Sequence, residues 1–124
     1  MNFNFDNNIP IYIQLVEQLK TYIISGKLSP GERLPSVRDL ALQTKVNPNT
    51  MQKALTELED LKLVYTERTN GKFVTTNKKL IDKYKKQYAD ELSNKYFSNM
   101  KNIGFSKTDV INYLKTLGGN KWWN

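Results

Sequence analysis

The chain contains no cysteine and no histidine, so disulfide bonds, thiolate ligands and imidazole ligands are all excluded. A metal site would have to consist of carboxylates alone, and a zinc-stabilised fold is ruled out. No nucleophile elbow occurs either, and there is no phosphate loop of the type GxxxxGKS or GxxxxGKT. These absences argue against an enzyme, and we predict that the protein uses neither a metal nor a cofactor.

Long apolar runs are also missing. None approaches the roughly 20 residues of a membrane span, and residues 1–10 have neither the basic nor the apolar region of a signal peptide. We therefore expect a soluble, cytoplasmic protein. With 124 residues, the chain is long enough for one compact domain and an appendage, but not for two full-sized domains.

Positive charge is in excess. The formal net charge of +7, from 19 Lys and Arg against 12 Asp and Glu, indicates a polyanionic partner such as nucleic acid or an anionic membrane surface. Residues 1–76 contain nine basic and eight acidic side chains, whereas residues 77–124 contain ten and four. Because the excess lies in the C-terminal segment, local patterns rather than total charge have to locate the binding surface.

Helical periodicity and capping signals predict three helices in the first half of the chain. The first occupies Pro10 to Ser25, and a tight connection over Leu28 to Leu34 follows it. Ser36 can cap a short second helix that ends near Thr44. After a break of about three residues, the third helix has an apolar stripe that consists of Met51, Ala54, Leu55, Leu58 and Leu61.

Two extended runs, Leu63 to Glu67 and Lys72 to Thr76, predict a β-hairpin joined through Thr69-Asn70-Gly71. Beyond Asn77 the pattern becomes helical again over a long, lysine-rich stretch. Ser106 opens a last helix that is predicted to stop at Gly118-Gly119.

This order of elements is typical of a winged helix-turn-helix. We therefore predict a mainly α protein with a small β-hairpin. Residues 1–76 would form a winged helix-turn-helix DNA-binding domain, and residues 77–124 a two-helix C-terminal segment for dimerisation.

The predicted helix over Val46 to Leu58 would read the major groove, because such helices present their N-terminal turns to base edges. Asparagine and glutamine can pair with adenine, threonine can contact a thymine methyl or a phosphate, and lysine can reach guanine or phosphate. The alternative is that Asn47 and Thr50 only cap the helix and that Gln52 and Lys53 form an ordinary solvated face. Basic residues near the start of this helix and acidic residues at its far end favour DNA binding. The outward-facing polar residues are Asn47, Asn49, Thr50, Gln52 and Lys53.

Residues 26–41, GKLSPGERLPSVRDLA, closely resemble the N-terminal signature of GntR-type bacterial regulators, and Ala54-Leu55 with Leu58 continue it. Residues 46–54, VNPNTMQKA, are similar to the recognition helix of the YtrA subgroup, whose members are short and often accompany transporter genes. Residues 10–15, PIYIQL, also fit the first helix of that family. The resemblance is strong over residues 9–76 and extends beyond them only in size and character.

This resemblance implies a sequence-specific regulator of transcription, with repression the expected sign. It assigns a phosphate or base contact to Arg38, the groove contacts to residues 47–53, and the wing to Gly71 and Lys72. Lys62 and Thr69 stand where the family often has glycine, which affects the shape of the wing. The predicted DNA-binding residues are Ser36, Arg38, Asn47, Pro48, Asn49, Thr50, Gln52, Lys53, Gly71 and Lys72.

The 48 residues after Thr76 are too few for the large effector-binding domain that GntR-type proteins usually carry. Their two helices have apolar stripes that they cannot bury alone, so we predict a homodimer on an inverted-repeat operator. A small-molecule effector, if the protein senses one, would bind between these helices or where they join the core. The predicted dimer contacts are Tyr84, Tyr88, Leu92, Tyr96, Ile111 and Leu114.

Three alternatives stay open at this point. The C-terminal helices could fold back on their own core instead of forming a dimer. They could lie on a membrane surface, although their interleaved acidic residues and tyrosines fit dimer packing better than lipid. Finally, a winged helix can contact protein or RNA instead of duplex DNA, and its binding would then be insensitive to operator sequence.

Overall fold

A computed structural model describes residues 1–117, which form five helices and one antiparallel hairpin. The predicted fold class, mainly helical with a small β-hairpin, is confirmed. The predicted stop at Gly118-Gly119 lies outside the described residues. In chain order the elements are α1 (Ile11–Ile24), α2 (Val37–Thr44), α3 (Pro48–Asp60), β1 (Val64–Glu67), β2 (Gly71–Val74), α4 (Lys78–Asn102) and α5 (Lys107–Leu117).

The chain divides into two compact units, Met1–Lys85 and a second unit that begins at Lys86. The core of the first unit consists of one face each of α1, α2 and α3 together with the base of the hairpin. Apolar residues recur on each helix every three or four positions and so form these faces. The stripe of α3 is buried as predicted, except that Leu61 follows the helix and is half-exposed. The largest fully buried side chains of this unit are Leu15, Leu19, Ile23, Leu40, Met51, Leu55, Leu58, Leu63 and Val74.

A tight turn connects α2 to α3. The Ser36 hydroxyl caps α2 by accepting a hydrogen bond from the backbone N–H of Asp39 at 3.1 Å. The side chain of Asn47 caps α3 by accepting from the backbone N–H of Asn49 at 2.8 Å. Between the helices, Lys45 adopts a left-handed φ of +58°, which ends α2, and α3 begins after only three connecting residues. Both predicted caps and the predicted break are confirmed.

The hairpin follows α3 directly. β1 and β2 pair with Val64 opposite Val74, and both strands overlap the two extended runs predicted from the sequence. A third stretch of chain joins β2 on its other edge, because Arg33 forms an isolated β-bridge with Phe73. The sequence predicted only a tight connection over residues 28–34. Backbone hydrogen bonds between that connection and β2 tie the hairpin to the segment before α2.

The first six residues lie extended along α1 and are held through their backbone. Three side chains of α1, spaced one turn apart, each exchange two hydrogen bonds with one residue of this segment, at 2.7–3.3 Å. The spacing matches, since four helical residues rise about 6 Å and two extended residues about 6.6 Å. No local pattern in residues 1–10 predicts this arrangement. The pairs are Gln14 with Asp6, Gln18 with Asn4 and Tyr22 with Asn2.

In the second unit, a turn at Gly104 separates α4 from α5 and requires glycine for its φ of +98°. The predicted cap of α5 is confirmed: Ser106 Oγ accepts from the N–H of Asp109, and the Asp109 carboxylate accepts from the N–H of Ser106. This backbone hydrogen bond, together with the Ser106 hydroxyl, lowers the pKa of Asp109. Val110 is the buried residue of α5. Within residues 1–117, no helix combines the length and the apolar character that a membrane crossing requires.

Candidate nucleic-acid interface

The exposed side of α3 presents polar side chains over its first two turns. Asn49, Gln52 and Lys53 are exposed and Thr50 is half-exposed, opposite the buried stripe. Among residues 1–117, the Gln52 side-chain amide makes only a long contact of 3.4 Å to the Thr56 hydroxyl, which leaves its hydrogen-bonding groups available to a partner. A carboxamide offers the donor and acceptor pair that matches adenine in the major groove. The helix therefore holds potential base-reading groups on a well-packed support.

Asn47 and Pro48 begin this helix and are both exposed. The side-chain oxygen Oδ1 of Asn47 caps the helix, so the capping role that the sequence left open is present in the structure. The side-chain nitrogen Nδ2 makes no hydrogen bond among the described residues and can still donate to a partner. Asn47 therefore positions the first turn in addition to any contact of its own.

Lys53 has a partner within the protein. Its ammonium lies 5.4 Å from the ring centroid of Tyr12 on α1. An exposed cation–π contact of this kind is worth about 0.5–1 kcal/mol, so a nearby phosphate could compete for the ammonium. The structure thus places Lys53 at the side of α3 rather than at its tip.

Ser36 and Arg38 lie at the N-terminal end of α2. The Ser36 hydroxyl serves as the cap, while the Arg38 guanidinium is exposed and makes no ion pair among residues 1–117. A free guanidinium suits a phosphate contact because it can donate two parallel hydrogen bonds. The structure therefore leaves Arg38 available for the role that the resemblance assigns to it.

Gly71 begins β2 with a φ of +104°, a conformation that favours glycine. A Cβ atom at this position would lie 3.3 Å from Nε of Arg33. Conformation and space both explain why the residue is glycine. Arg33 therefore lies beside Gly71 at the wing. No local pattern predicts this contact, because Arg33 and Gly71 are far apart in the chain.

Lys62 precedes β1 with a left-handed φ of +65°. This is the position where the family resemblance leads one to expect glycine, and the structure gives the reason. A side chain in this region costs about 1–2 kcal/mol relative to ordinary backbone conformations. Lys62 therefore adopts the left-handed conformation of this turn, although glycine would adopt it more easily.

Lys72 faces α3 instead of the outer surface of the wing. Side chains alternate along a strand, so Lys72 shares the face of the buried Val74. Its Nζ lies 2.8 Å from the Glu59 carboxylate and 3.0 Å from the Thr66 hydroxyl, and only 17% of the side chain is exposed. The strand alternation could have placed Lys72 from the sequence, whereas its pairing with Glu59 could not be predicted.

Burial would raise the pKa of the Glu59 carboxyl, but other effects prevail. Hydrogen bonds from Lys72 and Thr66, together with the charge of Lys72, hold the pKa below its ordinary value. A carboxyl whose pKa is lower in the folded than in the unfolded state stabilises the fold above the unfolded-state pKa. This contribution is lost as the pH falls through the folded-state pKa.

Replacing Glu59 with glutamine is therefore expected to lower the free energy of unfolding at pH 7 by about 0.5–1 kcal/mol. The difference from the wild type should disappear as the pH is lowered below the folded-state pKa of Glu59. Urea denaturation at a series of pH values measures both quantities. Glu57→Gln, on the same helix and without an ion pair among the described residues, is the matched control. A difference between Glu59→Gln and wild type that persists at low pH would contradict this assignment.

The predicted dimer residues differ in their surroundings. Leu92 and Ile111 are 54% and 41% exposed. The hydroxyl of Tyr84, in contrast, donates to the backbone carbonyl of Leu61 at 3.2 Å, and the Lys20 ammonium lies 5.0 Å from its ring centroid. Tyr84 therefore belongs to the first unit and packs within it. The half-buried members of the set are Tyr88, Tyr96 and Leu114.

A groove of about 750 Å³ lies in the second unit, between the end of α4 and the start of α5. The rings of Phe97 and Phe105 provide apolar walls, and Lys101 and Lys107 add positive charge. Among residues 1–117, no group of three or more acidic side chains is placed to hold a metal ion.

The arrangement of α2, α3 and the hairpin, with amide side chains on the open face of α3, defines a winged helix-turn-helix DNA-binding protein. The family model of bacterial regulatory proteins of the gntR family matches residues 11–74. The chain belongs to the GntR family. It is therefore a DNA-binding transcriptional regulator and not an enzyme.

Two curated relatives support this assignment. The chain is 36% identical to the HTH-type transcriptional regulator YhcF of Bacillus subtilis, itself uncharacterized, over 94% of this chain and 96% of YhcF. It is 41% identical to the transcriptional repressor YtrA of the same organism, over 59% of this chain and 56% of YtrA.

Two solved structures are similar as well. A GntR family transcriptional regulator from Listeria monocytogenes superposes with a TM-score of 0.84 at 38% identity, over 90% of this chain and 98% of that one. The DNA-binding domain of AraR, solved in complex with operator ORX1, gives a TM-score of 0.55 at 28% identity, over 60% of this chain and 96% of that one.

Proposed function

We propose that the protein is a homodimeric repressor that binds an inverted-repeat operator through two copies of α3. The observation that carries this proposal is the pair of exposed amides, Asn49 and Gln52, set opposite a fully buried stripe. A related domain, that of AraR, was solved on its operator, and the relative YtrA is named a repressor. Two helices related by a twofold axis would address half-sites about 34 Å apart, and the bound protein would block polymerase.

The protein would control a particular set of genes. The resemblance to the YtrA subgroup leads us to propose a transporter operon as the target, with the protein acting in the cytoplasm. Transcript levels in a strain that lacks the protein test this part. A rise in the transcripts of a transporter operon is expected, and unchanged transporter transcripts would contradict it.

Replacing Arg38 with alanine is expected to weaken binding to all duplex sequences to a similar extent. Loss of one phosphate contact should also lower the magnitude of the salt slope by about one. Fluorescence anisotropy titrations at several salt concentrations measure both quantities. Lys115→Ala, which removes an exposed charge from α5, is the control. An unchanged salt slope in Arg38→Ala would show that this guanidinium does not contact phosphate.

Exposed apolar side chains in the second unit support the dimer. Besides Leu92 and Ile111, Ile103 is 69% and Tyr113 is 43% exposed. Apolar side chains gathered in so short a segment favour burial against a second copy of the same surface. Tyr84 is left out of this surface because it packs on α1 and the end of α3.

A variant with Leu92→Asp and Ile111→Asp is expected to be a monomer at micromolar concentration, where the wild type is a dimer. Each charge would have to be buried without a partner at the interface. Analytical ultracentrifugation distinguishes the monomer mass of 14.4 kDa from twice that value. Leu42→Asp, at a position on α2 that is 71% exposed, is the control. A wild-type monomer would remove the dimer from the proposal.

An effector, if the protein senses one, is assigned to the groove between α4 and α5. Its two phenylalanine rings and two lysines would suit a small anionic molecule with an apolar part. This position lies within the segment where the sequence predicted that an effector would bind.

A further inference from the structure

Three residues join the recognition helix to the wing in one closed set of hydrogen bonds. Glu59 comes from the last turn of α3, Thr66 from β1 and Lys72 from β2. Lys72 donates to Glu59 at 2.8 Å and to Thr66 at 3.0 Å, and the Thr66 hydroxyl donates to the same Glu59 oxygen. Each structural element thus contributes one residue. The set of Glu59, Thr66 and Lys72 is called the helix–wing triad.

The helix–wing triad lies at the outer end of the hairpin. Thr66 and Lys72 are a register pair, and the next pair, Glu67 with Gly71, closes the turn. On the same face, two register pairs closer to the base, Val64 and Val74 are buried in the core. The contact with α3 therefore changes along the hairpin from apolar at the base to polar and charged near the tip.

This difference matters for orientation. Apolar burial is non-directional. The buried valines therefore hold the base of the hairpin on the core, but they do not fix the angle between its tip and α3. Backbone bonds to the segment before α2 anchor one edge of β2, but they do not reach α3. Charge-assisted hydrogen bonds are short and directional. Among the described contacts, the helix–wing triad is the polar side-chain link that sets the distance between the wing tip and α3.

We propose that Glu59 is a positioning residue for DNA binding, which holds the wing at a fixed angle to the recognition helix through Lys72 and Thr66. The inference rests on the proposed function, because the angle matters only if wing and helix contact the same duplex. The wing tip that is positioned in this way consists of Arg68, Thr69 and Asn70, all exposed. Lys72 serves as part of the support, and Arg68, which makes no ion pair among residues 1–117, supplies positive charge at the tip.

Binding measurements on Glu59→Gln test the inference against Glu57→Gln. With a duplex selected by the wild type, at a temperature where both variants are folded, Glu59→Gln is expected to weaken binding about fivefold. Glu57→Gln should leave the affinity unchanged. In a background with Arg68, Thr69 and Asn70 replaced by alanine, Glu59→Gln should have no further effect, because the contact that it positions is already absent.

Two results would overturn the inference. Additive effects of Glu59→Gln and the wing-tip replacements would show that Glu59 acts by another route. Tighter binding by Glu59→Gln, with a steeper salt dependence, would show that Glu59 instead keeps Lys72 away from a phosphate.

A measurement without DNA separates this inference from the proposed function. In the free protein, backbone order parameters of residues 68–70 should fall in Glu59→Gln and remain as in the wild type in Glu57→Gln. Unchanged order parameters in Glu59→Gln would overturn the positioning role. Failure of the proposed function would appear elsewhere, as a wild-type protein that selects no duplex sequence.

Discussion

Replacement of Leu55 by alanine is expected to lower the free energy of unfolding by about 2–5 kcal/mol. Leu55 has no exposed surface and lies in the middle of the buried stripe of α3, where this helix packs on α1 and α2. Truncation removes apolar contacts and leaves a cavity that close-packed neighbours fill only in part. Because small domains are stable by about 5–15 kcal/mol, this loss would be a large fraction of the total stability.

Urea denaturation followed by circular dichroism measures this loss. Leu42→Ala makes the same chemical change on α2 at a position that is 71% exposed, and it should alter stability by no more than about 0.5 kcal/mol. If Leu55→Ala cost less than about 1 kcal/mol, the packing of α3 described here would be wrong.

Asn49→Ala and Gln52→Ala are expected to relax base preference by about 1–3 kcal/mol at the base pair that each amide reads. This corresponds to about a fivefold to 150-fold loss of discrimination at one operator position. Both side chains are exposed and lie one turn apart on α3, so neither removal should disturb the core. The effect should therefore be confined to specificity.

Affinities for the operator and for its single-base variants measure this discrimination. Gln87→Ala and Asn99→Ala repeat the two substitutions at exposed positions of α4 and should leave all affinities unchanged. Wild-type discrimination in Asn49→Ala and Gln52→Ala would show that other groups read the bases.

Local signals predicted much of the first unit. The apolar spacing of α3, the caps Ser36 and Asn47, and the break at Lys45 all act between residues close in the chain, and each is present in the structure. The hairpin was predicted from its two extended runs for the same reason. Such signals suffice for the position of the recognition helix.

Contacts between distant segments could not be predicted in this way. The pairing of the first six residues with α1 depends on side chain to backbone bonds, which almost any sequence in an extended segment could make. The bridge from Arg33 to Phe73 and the pairing of Lys72 with Glu59 appear only when the chain has folded. The sequence therefore predicted the hairpin of the wing. It could not show that Lys72, which was assigned to DNA contact, pairs with Glu59.

The small excess of positive charge on the recognition surface is consistent with base recognition by side-chain amides. Between residues 36 and 55 the charged side chains are Arg38, Lys45 and Lys53 against Asp39 alone. The Lys53 ammonium makes a cation–π contact with Tyr12, and Lys72 forms an ion pair with Glu59. Among the described residues, few positive charges near α3 therefore remain without a partner in the protein. Selectivity would then arise from hydrogen bonds to base edges, while phosphate contacts such as that of Arg38 position the helix.

Selection of duplexes from a randomised DNA library by the wild-type protein shows whether the protein recognises a DNA sequence. We expect one enriched inverted repeat, bound at least about 10³-fold more tightly than a scrambled duplex of the same length at physiological salt. Equal affinity for the enriched and the scrambled duplex would contradict specific DNA recognition and would favour a winged helix that contacts RNA or protein.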